Sequence, residues 1–381
     1  MFRGNVAGRH ASVRSILASA LCLGGLSWGA VLWAGPPPKY ELADLKALEQ
    51  AFVELGDAVR PSVVSIRCYQ IHPTGRDEPA QVKLPISQGS GFVIDPAGYI
   101  ATNHHVIDGA DLIAVVLHNG LSYDATLRQS DARSDLAVLK IDAEGLPAVR
   151  WGDLADVRVN QWSFACGNPF GMAFDNYGRS SVTYGVVSAL GRQMTHRLTP
   201  DTTNHYYGNL IETSATINPG NSGGPLFNIA GEVIGVVTAI ETSTGVSEGH
   251  GFAIPIDRNT QRVLETLKTG EVVRYGFLGI EVNDVEPTTS RRVLDSASAR
   301  GAQVSKIPTP HCPAARAGLS PRDVIVEFNG VPVDGSDHLV RLVQYTPVGS
   351  EVEIVYLRRD VKRRTTVTLG DRSELMATSG Q

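Results

Sequence analysis

The stretch NPGNSGGPLF (218–227) lies between two apolar runs, LIETSATI (210–217) and EVIGVVTAI (232–240), that read as β-strands. Reversing the chain needs one tight turn, yet three glycines and two prolines surround a single serine, Ser222. Glycine lets a backbone turn through positive φ or approach another group closely. Such a loop can aim its N–H groups at the oxyanion that develops in acyl transfer while the serine hydroxyl attacks. Taken alone, the stretch reads equally well as a surface loop. A base and a group to orient that base, elsewhere in the chain, would decide between the two.

Serine is a poor nucleophile at its own pKa, so an imidazole must accept its proton and a buried carboxylate must hold that imidazole's tautomer. TNHHVIDGA (102–110) offers histidines at a strand end, and SDARSDLAVLKID (130–142) offers an aspartate entering an apolar strand. Each is commonplace by itself, as a surface histidine or a turn aspartate. Together they give the order His, Asp, Ser along a β-rich chain, which is that of the chymotrypsin arrangement.

The surrounding pattern is mainly β. Short runs such as GSGFVID, GYIATNHHVI, LIAVVL, SFACG and SVTYGVVSAL alternate with Gly, Asp and Asn, which predicts a sandwich or barrel rather than βαβ units. Apolar residues at helical spacing predict helices over 41–62, ending at the Pro61 break, and over 257–271. A second unit begins near Tyr275. No long repeat is evident, and low complexity is confined to one proline run.

With 381 residues, 42% apolar and 19% charged, the chain is long enough for two or three globular domains. A formal net charge of −5 argues against nucleic acid as a partner. The basic cluster RRDVKRR (358–364) lies between two strand-like runs and reads as a solvated hairpin tip. Cys22, Cys68, Cys166 and Cys312 are widely spaced with no metal-ligand pattern, so neither a metal site nor a disulfide scaffold is expected. Arg3, Arg9 and Arg14 precede the uncharged run SILASALCLGGLSWGAVLWAG (15–35). It is an export or anchoring signal. Its length, and the absence of a small-x-small site before Gly35, favour an uncleaved anchor.

In combination, TNHHVI, SDLAVLKID, GNPFG, GVVSALGR, INPGNSGGPL and GFAIPI closely resemble the HtrA (high-temperature requirement) serine proteases, including the Deg proteins of the bacterial envelope. The resemblance runs from about Val63 to Thr368. It implies a mainly β fold: a chymotrypsin-like double β-barrel at 39–270, one α+β PDZ domain at 271–371 and a tail at 372–381, behind an N-terminal hydrophobic helix within 1–38. It places the base at His105, the orienting carboxylate at Asp135 and the nucleophile at Ser222. The amides of Gly220, Asn221 and Ser222 would form the oxyanion hole. His104 would face solvent and Asp131 would be a turn residue.

Ile217, five residues before the nucleophile, would help line an apolar P1 pocket, since TSATI (213–217) carries no charge. Loop 241–250 would form another wall, loop 192–209 would correspond to the family's sensor loop, and 171–185 looks a few residues longer than usual. YGFLGI (Tyr275, Gly276, Phe277, Leu278, Gly279, Ile280) would be the carboxylate loop that captures peptide C-termini, with 336–347 as the groove helix. The resemblance further implies unfolded or regulatory proteins as substrates, PDZ-controlled activation, a homotrimer, no cofactor and no metal. It implies the periplasm or cell envelope, with anchoring to the inner membrane by 15–35, or a secreted form if that segment is cleaved. A chaperone or peptide-binding scaffold with little proteolytic activity is the alternative.

Overall fold

In the computed structural model the described residues are 42–73, 81–171, 179–192, 209–238, 250–285, 301–359 and 361–371. The expected anchor at 15–35, the body of the sensor loop (193–208), most of the pocket-wall loop (241–249) and 172–178 of the long 171–185 loop lie outside them. No helix among the described residues is long and apolar enough to cross a membrane.

The first predicted helix forms as α1 (Leu42–Val59), followed by a 3-10 turn at Arg60–Ser62 with Pro61 in it. Proline fits a first turn because its missing N–H would have no intrahelical partner there. Phe52 of α1 packs edge-on against Trp162 (centroids 4.4 Å apart) and Phe164 (5.1 Å).

The next strands are β1 (Val63–Pro73), β2 (Gln81–Asp95), β3 (Tyr99–Thr102), β4 (Leu112–Val116), β5 (Ser122–Asp131) and β6 (Leu136–Lys140). They close as a barrel in the order β1-β2-β3-β6-β5-β4. Ile66, Ile100, Val115 and Leu139 fill its interior. Closure pairs every strand edge and removes the exposed edges that an open sheet would present.

A second set comes next in the chain: β7 (Arg150–Trp151), β8 (Trp162–Gly167), β9 (Ser181–Arg192), β10 (Leu210–Thr213), β11 (Pro225–Phe227), β12 (Glu232–Thr238) and β13 (Gly251–Pro255). The path β11-β8-β9-β10-β13-β12 is closed by a β11–β12 pairing, giving a second six-stranded ring with β7 added in parallel to β12. Ile211, Leu226, Ile234 and Val237 form its core.

Helix α3 (Arg258–Thr269) comes after α2 (His104–Ile107), which lies in the β3–β4 connection. Asp257 caps α3 by accepting from the amides of Asn259 and Thr260, and Gly270 ends it at φ 85. Both ends match the usual capping chemistry. Its Val263, Leu264 and Leu267 are buried with Phe92 and Leu136 of the first barrel and Leu210 and Val236 of the second. Each such side chain contributes about 1.5–3 kcal/mol on burial. The helix thereby seals the seam between the barrels.

The C-terminal unit holds β14 (Gly276–Phe277), β15 (Glu281–Asp284), β16 (Ala302–Lys306), α4 (Pro313–Arg316), β17 (Val324–Phe328), β18 (Val331–Pro332), α5 (Ser336–Tyr345), β19 (Glu351–Arg358), β20 (Val361–Thr368) and β21 (Gly370–Asp371). Its main sheet runs β15-β16-β17-β19-β20, with β14 and β21 paired separately. Leu339 and Val343 of α5 are buried in the core with Leu278, Ile325 and Phe328. The described residues of the basic run 358–364 lie where β19 and β20 meet, with Arg358 opposite Val361. Arg358 is fastened to the buried Asp323 by bonds of 2.8 and 2.7 Å.

Candidate active site

Asp135 is fully buried and sits in the left-handed region at φ 54. That conformation costs an L-residue about 1–2 kcal/mol, so the surrounding bonds must hold it. They converge from one short segment. The Asp135 carbonyl accepts from Asn103 Nδ2 (3.0 Å) and from the His104 amide (3.1 Å). Its carboxylate accepts from the His105 amide (3.0 Å) and lies 2.8 and 3.0 Å from His105 Nδ1. A carboxylate facing Nδ1 requires the proton on that nitrogen and presents Nε2 as the acceptor. The His105 side chain is 35% exposed while that of Asp135 is 0% exposed, so the imidazole meets solvent and the carboxylate does not.

The loop bearing Ser222 is shaped by backbone. Gly220 has φ +97, and a Cβ there would lie 2.3 Å from Asn168 O; Gly223 has φ +82, and a Cβ there would lie 2.2 Å from both Ser90 O and Thr102 Oγ1. No other residue type fits either position without moving its neighbours. The Ser90 amide donates to Ser222 O (2.8 Å), Ser90 Oγ donates to Gly220 O (2.7 Å), and the Phe170 amide donates to Pro219 O (2.8 Å). Exchanges between Gly223 N and Val237 O and between Val237 N and Gly224 O, both 2.8 Å, tie the loop to β12. A Cβ at Gly89 would meet both Val106 Cγ1 (2.7 Å) and Ser222 O (3.0 Å). The serine loop and the His105–Val106 segment are therefore gathered at one point on β2, at the seam of the barrels. The nucleophile candidate is 5% exposed.

Several details were not legible in the chain. The Asn221 amide donates to Asn218 O at 3.0 Å, inside the turn. His104 is only 15% exposed at its side chain, with Nδ1 3.2 Å from Ser130 Oγ, and does not face solvent as expected. Asp131 is a turn residue, accepting from Ser134 N (2.8 Å) and Ser134 Oγ (2.6 Å), and it also accepts from the Tyr275 hydroxyl. Arg133 lies over the Tyr275 ring, 5.6 Å from its centroid.

Tyr275 is 7% exposed and packs with Phe92 and Leu136. Burial, then the Asp131 charge, pushes its phenol well above the usual value. Its side chain is thus turned to the turn that ends in Asp135. In the rest of YGFLGI, Leu278 is buried in the core and its carbonyl accepts from Ala314 N, while Gly279 (φ +78) packs against Cys312. Gly276 and Phe277 pair with β21, and Ile280 is half-buried against the core.

Ile217 is 5% exposed and lies against Gly251. Cys166 is fully buried, and burial raises its thiol to about 12, so it stays protonated. Among the described residues no group of His, Cys, Asp and Glu is placed to hold a metal ion.

The trypsin-like peptidase domain family matches residues 89–236 and the PDZ domain family matches residues 308–358. A probable periplasmic serine endoprotease DegP-like from Halomonas elongata is 42% identical over 288 residues, covering 75% of this chain and 56% of the relative. A protein of the same name from Pseudomonas savastanoi pv. phaseolicola is 41% identical over 78% of this chain and 59% of its own length. The chain therefore spans somewhat over half the length of these curated relatives. A solved structure of the HtrA-type protease AlgW with decapeptide superposes with a TM-score of 0.67 at 34% identity, covering 84% of this chain and 98% of the other.

Proposed function

The chain belongs to the HtrA family of serine proteases, with a trypsin-like peptidase domain followed by a PDZ domain, and from that premise we propose that it is a serine endopeptidase of the bacterial cell envelope. The observation that carries the reading is the buried Asp135 carboxylate on His105 Nδ1, gathered at one seam with the glycine-shaped Ser222 loop. His105 Nε2 takes the Ser222 proton as Oγ attacks a peptide carbonyl. The amides of Gly220 and Ser222 stabilise the oxyanion. His105 then gives the proton to the leaving amine, and water enters in its place to release the acyl group by the same sequence. An apolar, small aliphatic P1 residue suits the uncharged 213–217 segment.

The domains run over 39–270 and 271–371, the segment 15–35 anchors the chain in the inner membrane, and the protein works in the periplasm as a homotrimer. Support for the compartment comes from the relatives, which are named periplasmic. The PDZ domain captures apolar C-termini of misfolded or regulatory proteins. Support for peptide capture comes from the structural relative, which was solved with a decapeptide. Peptide capture raises proteolysis, and the bond from Tyr275 to Asp131 offers a physical link, because it joins the start of the PDZ unit to the turn that ends in Asp135.

Cleavage of an unfolded reporter protein by the full chain, with and without peptides ending in apolar residues, tests this. Cleavage that rises with peptide and vanishes in Ser222→Ala is the expected result. Reporter binding without cleavage under any condition would favour the scaffold alternative.

A further inference from the structure

Another buried carboxylate, in the second barrel, lies outside the proposed triad. Glu212, on β10, is 5% exposed, with His250 Nδ1 2.7 Å from one oxygen and Arg192 Nε bonded to the other. Burial pushes its carboxyl up, but the bonds and charges of His250 and Arg192 outweigh that and hold it below its ordinary value. Arg192 is the last residue of β9, and His250 immediately precedes β13.

The residue after His250 shapes the proposed P1 pocket. Gly251 pairs with Thr213 at the end of the β10–β13 ladder. A Cβ on it would lie 2.4 Å from Ile217 Cγ1 and 3.1 Å from Ala215 O. Bare Gly251 backbone is therefore the surface on which Ile217 rests. The other side of the 213–217 segment is sewn to β9 by Ser214 N to Val186 O (3.0 Å), Val186 N to Ser214 Oγ (3.0 Å) and Thr183 Oγ1 to Thr216 O (2.8 Å). On the β13 side the ladder ends at Gly251, and the adjoining residue is tied down by the His250–Glu212 bond.

We propose that Arg192, Glu212 and His250 form a positioning clamp that holds Gly251 against Ile217 and so sets which P1 side chains the protease accepts. The proposal rests on the reading of Ile217 as a pocket residue. The three residues do not touch the reacting atoms; they act through the Gly251 backbone. His250 presents an Nδ1–H to Glu212 whether its ring is neutral or protonated. An asparagine carries an amide donor at the same reach, whereas alanine carries none.

The test uses the full chain and a set of peptides that differ only at P1, as Ala, Val, Leu or Phe. The expected result for His250→Ala is that the kcat/KM ratio of Val over Phe falls about tenfold, the scale of a lost charge-assisted hydrogen bond. His250→Asn should restore that ratio to within about twofold. Arg192→Gln, an independent variant at a half-exposed side chain, should move it in the same direction by less. An unchanged ratio in His250→Ala, an equal fall for all four peptides, or failure of asparagine to restore the ratio would each overturn the clamp. Ile217→Ala separates the two readings. If it shifts the P1 ratio while His250→Ala does not, the pocket stands and the clamp is wrong; if neither variant shifts it, the pocket reading falls and the clamp with it.

Discussion

The two barrels hold their halves of the site by different means. The first fastens His105 and Asp135 with polar bonds: one aspartate in the left-handed region bonded through carbonyl and carboxylate to three successive residues, Asn103, His104 and His105. The second holds Ser222 by backbone shape, through glycines that no other residue can replace and through bonds that reach across to Ser90. Each half is therefore vulnerable in its own way. In the proposed mechanism the His105–Asp135 pair would fail when a polar group is changed, whereas Ser222 would fail when a Cβ is added.

Ser222→Ala removes the nucleophile itself, and peptide turnover should fall about 10⁶-fold with an unchanged circular dichroism spectrum. Asp135→Asn keeps the shape but reverses the tautomer preference at Nδ1, and kcat should fall about 10⁴-fold. Gly223→Ala alters no proposed catalytic side chain chemically but adds a Cβ 2.2 Å from Ser90 O and Thr102 Oγ1, so the loop must shift. It should lower kcat by about 10²–10³, the scale of a displaced oxyanion donor. Steady-state kinetics on these variants sharpens the contrast between the barrels; wild-type turnover in Gly223→Ala would break it.

Smaller effects concern stability. Asp257→Ala removes the cap of α3 and should cost about 1 kcal/mol in a denaturant melt. Because the Glu212 carboxyl is held below its ordinary value, its contribution is present above the unfolded value and is lost as pH falls through the folded one. Glu212→Gln should therefore lower Tm at neutral pH, and the difference from wild type should narrow as pH falls below the ordinary carboxylate range.

The barrels, and the segments that carry His105, Asp135 and Ser222, were legible because their signals are local. Alternating apolar runs specify strands, and glycines next to a serine announce positive φ at the place where it is needed. The illegible features depend on partners distant in sequence. Tyr275 sits within a run read as a carboxylate loop, and its hydroxyl partner is Asp131, 144 residues earlier. The Glu212–His250 bond joins ordinary-looking residues 38 apart whose strands pair only after the ring has closed. The sequence marks which residues make the Ser222 turn and leaves open which N–H the turn consumes; the Asn221 amide donates within it to Asn218 O. His104 and His105 are neighbours in one short helix, and the contacts with Ser130 and Asp135 distinguish their roles.

The catalytic assignment is tested most directly by fluorophosphonate labelling of the full chain with mass-spectrometric location of the adduct, alongside Ser222→Ala and Asp135→Asn. An adduct on Ser222 is expected, with none in Ser222→Ala and labelling at least about 100-fold slower in Asp135→Asn. Equal labelling of wild type and Asp135→Asn, or an adduct on any residue other than Ser222, would contradict it.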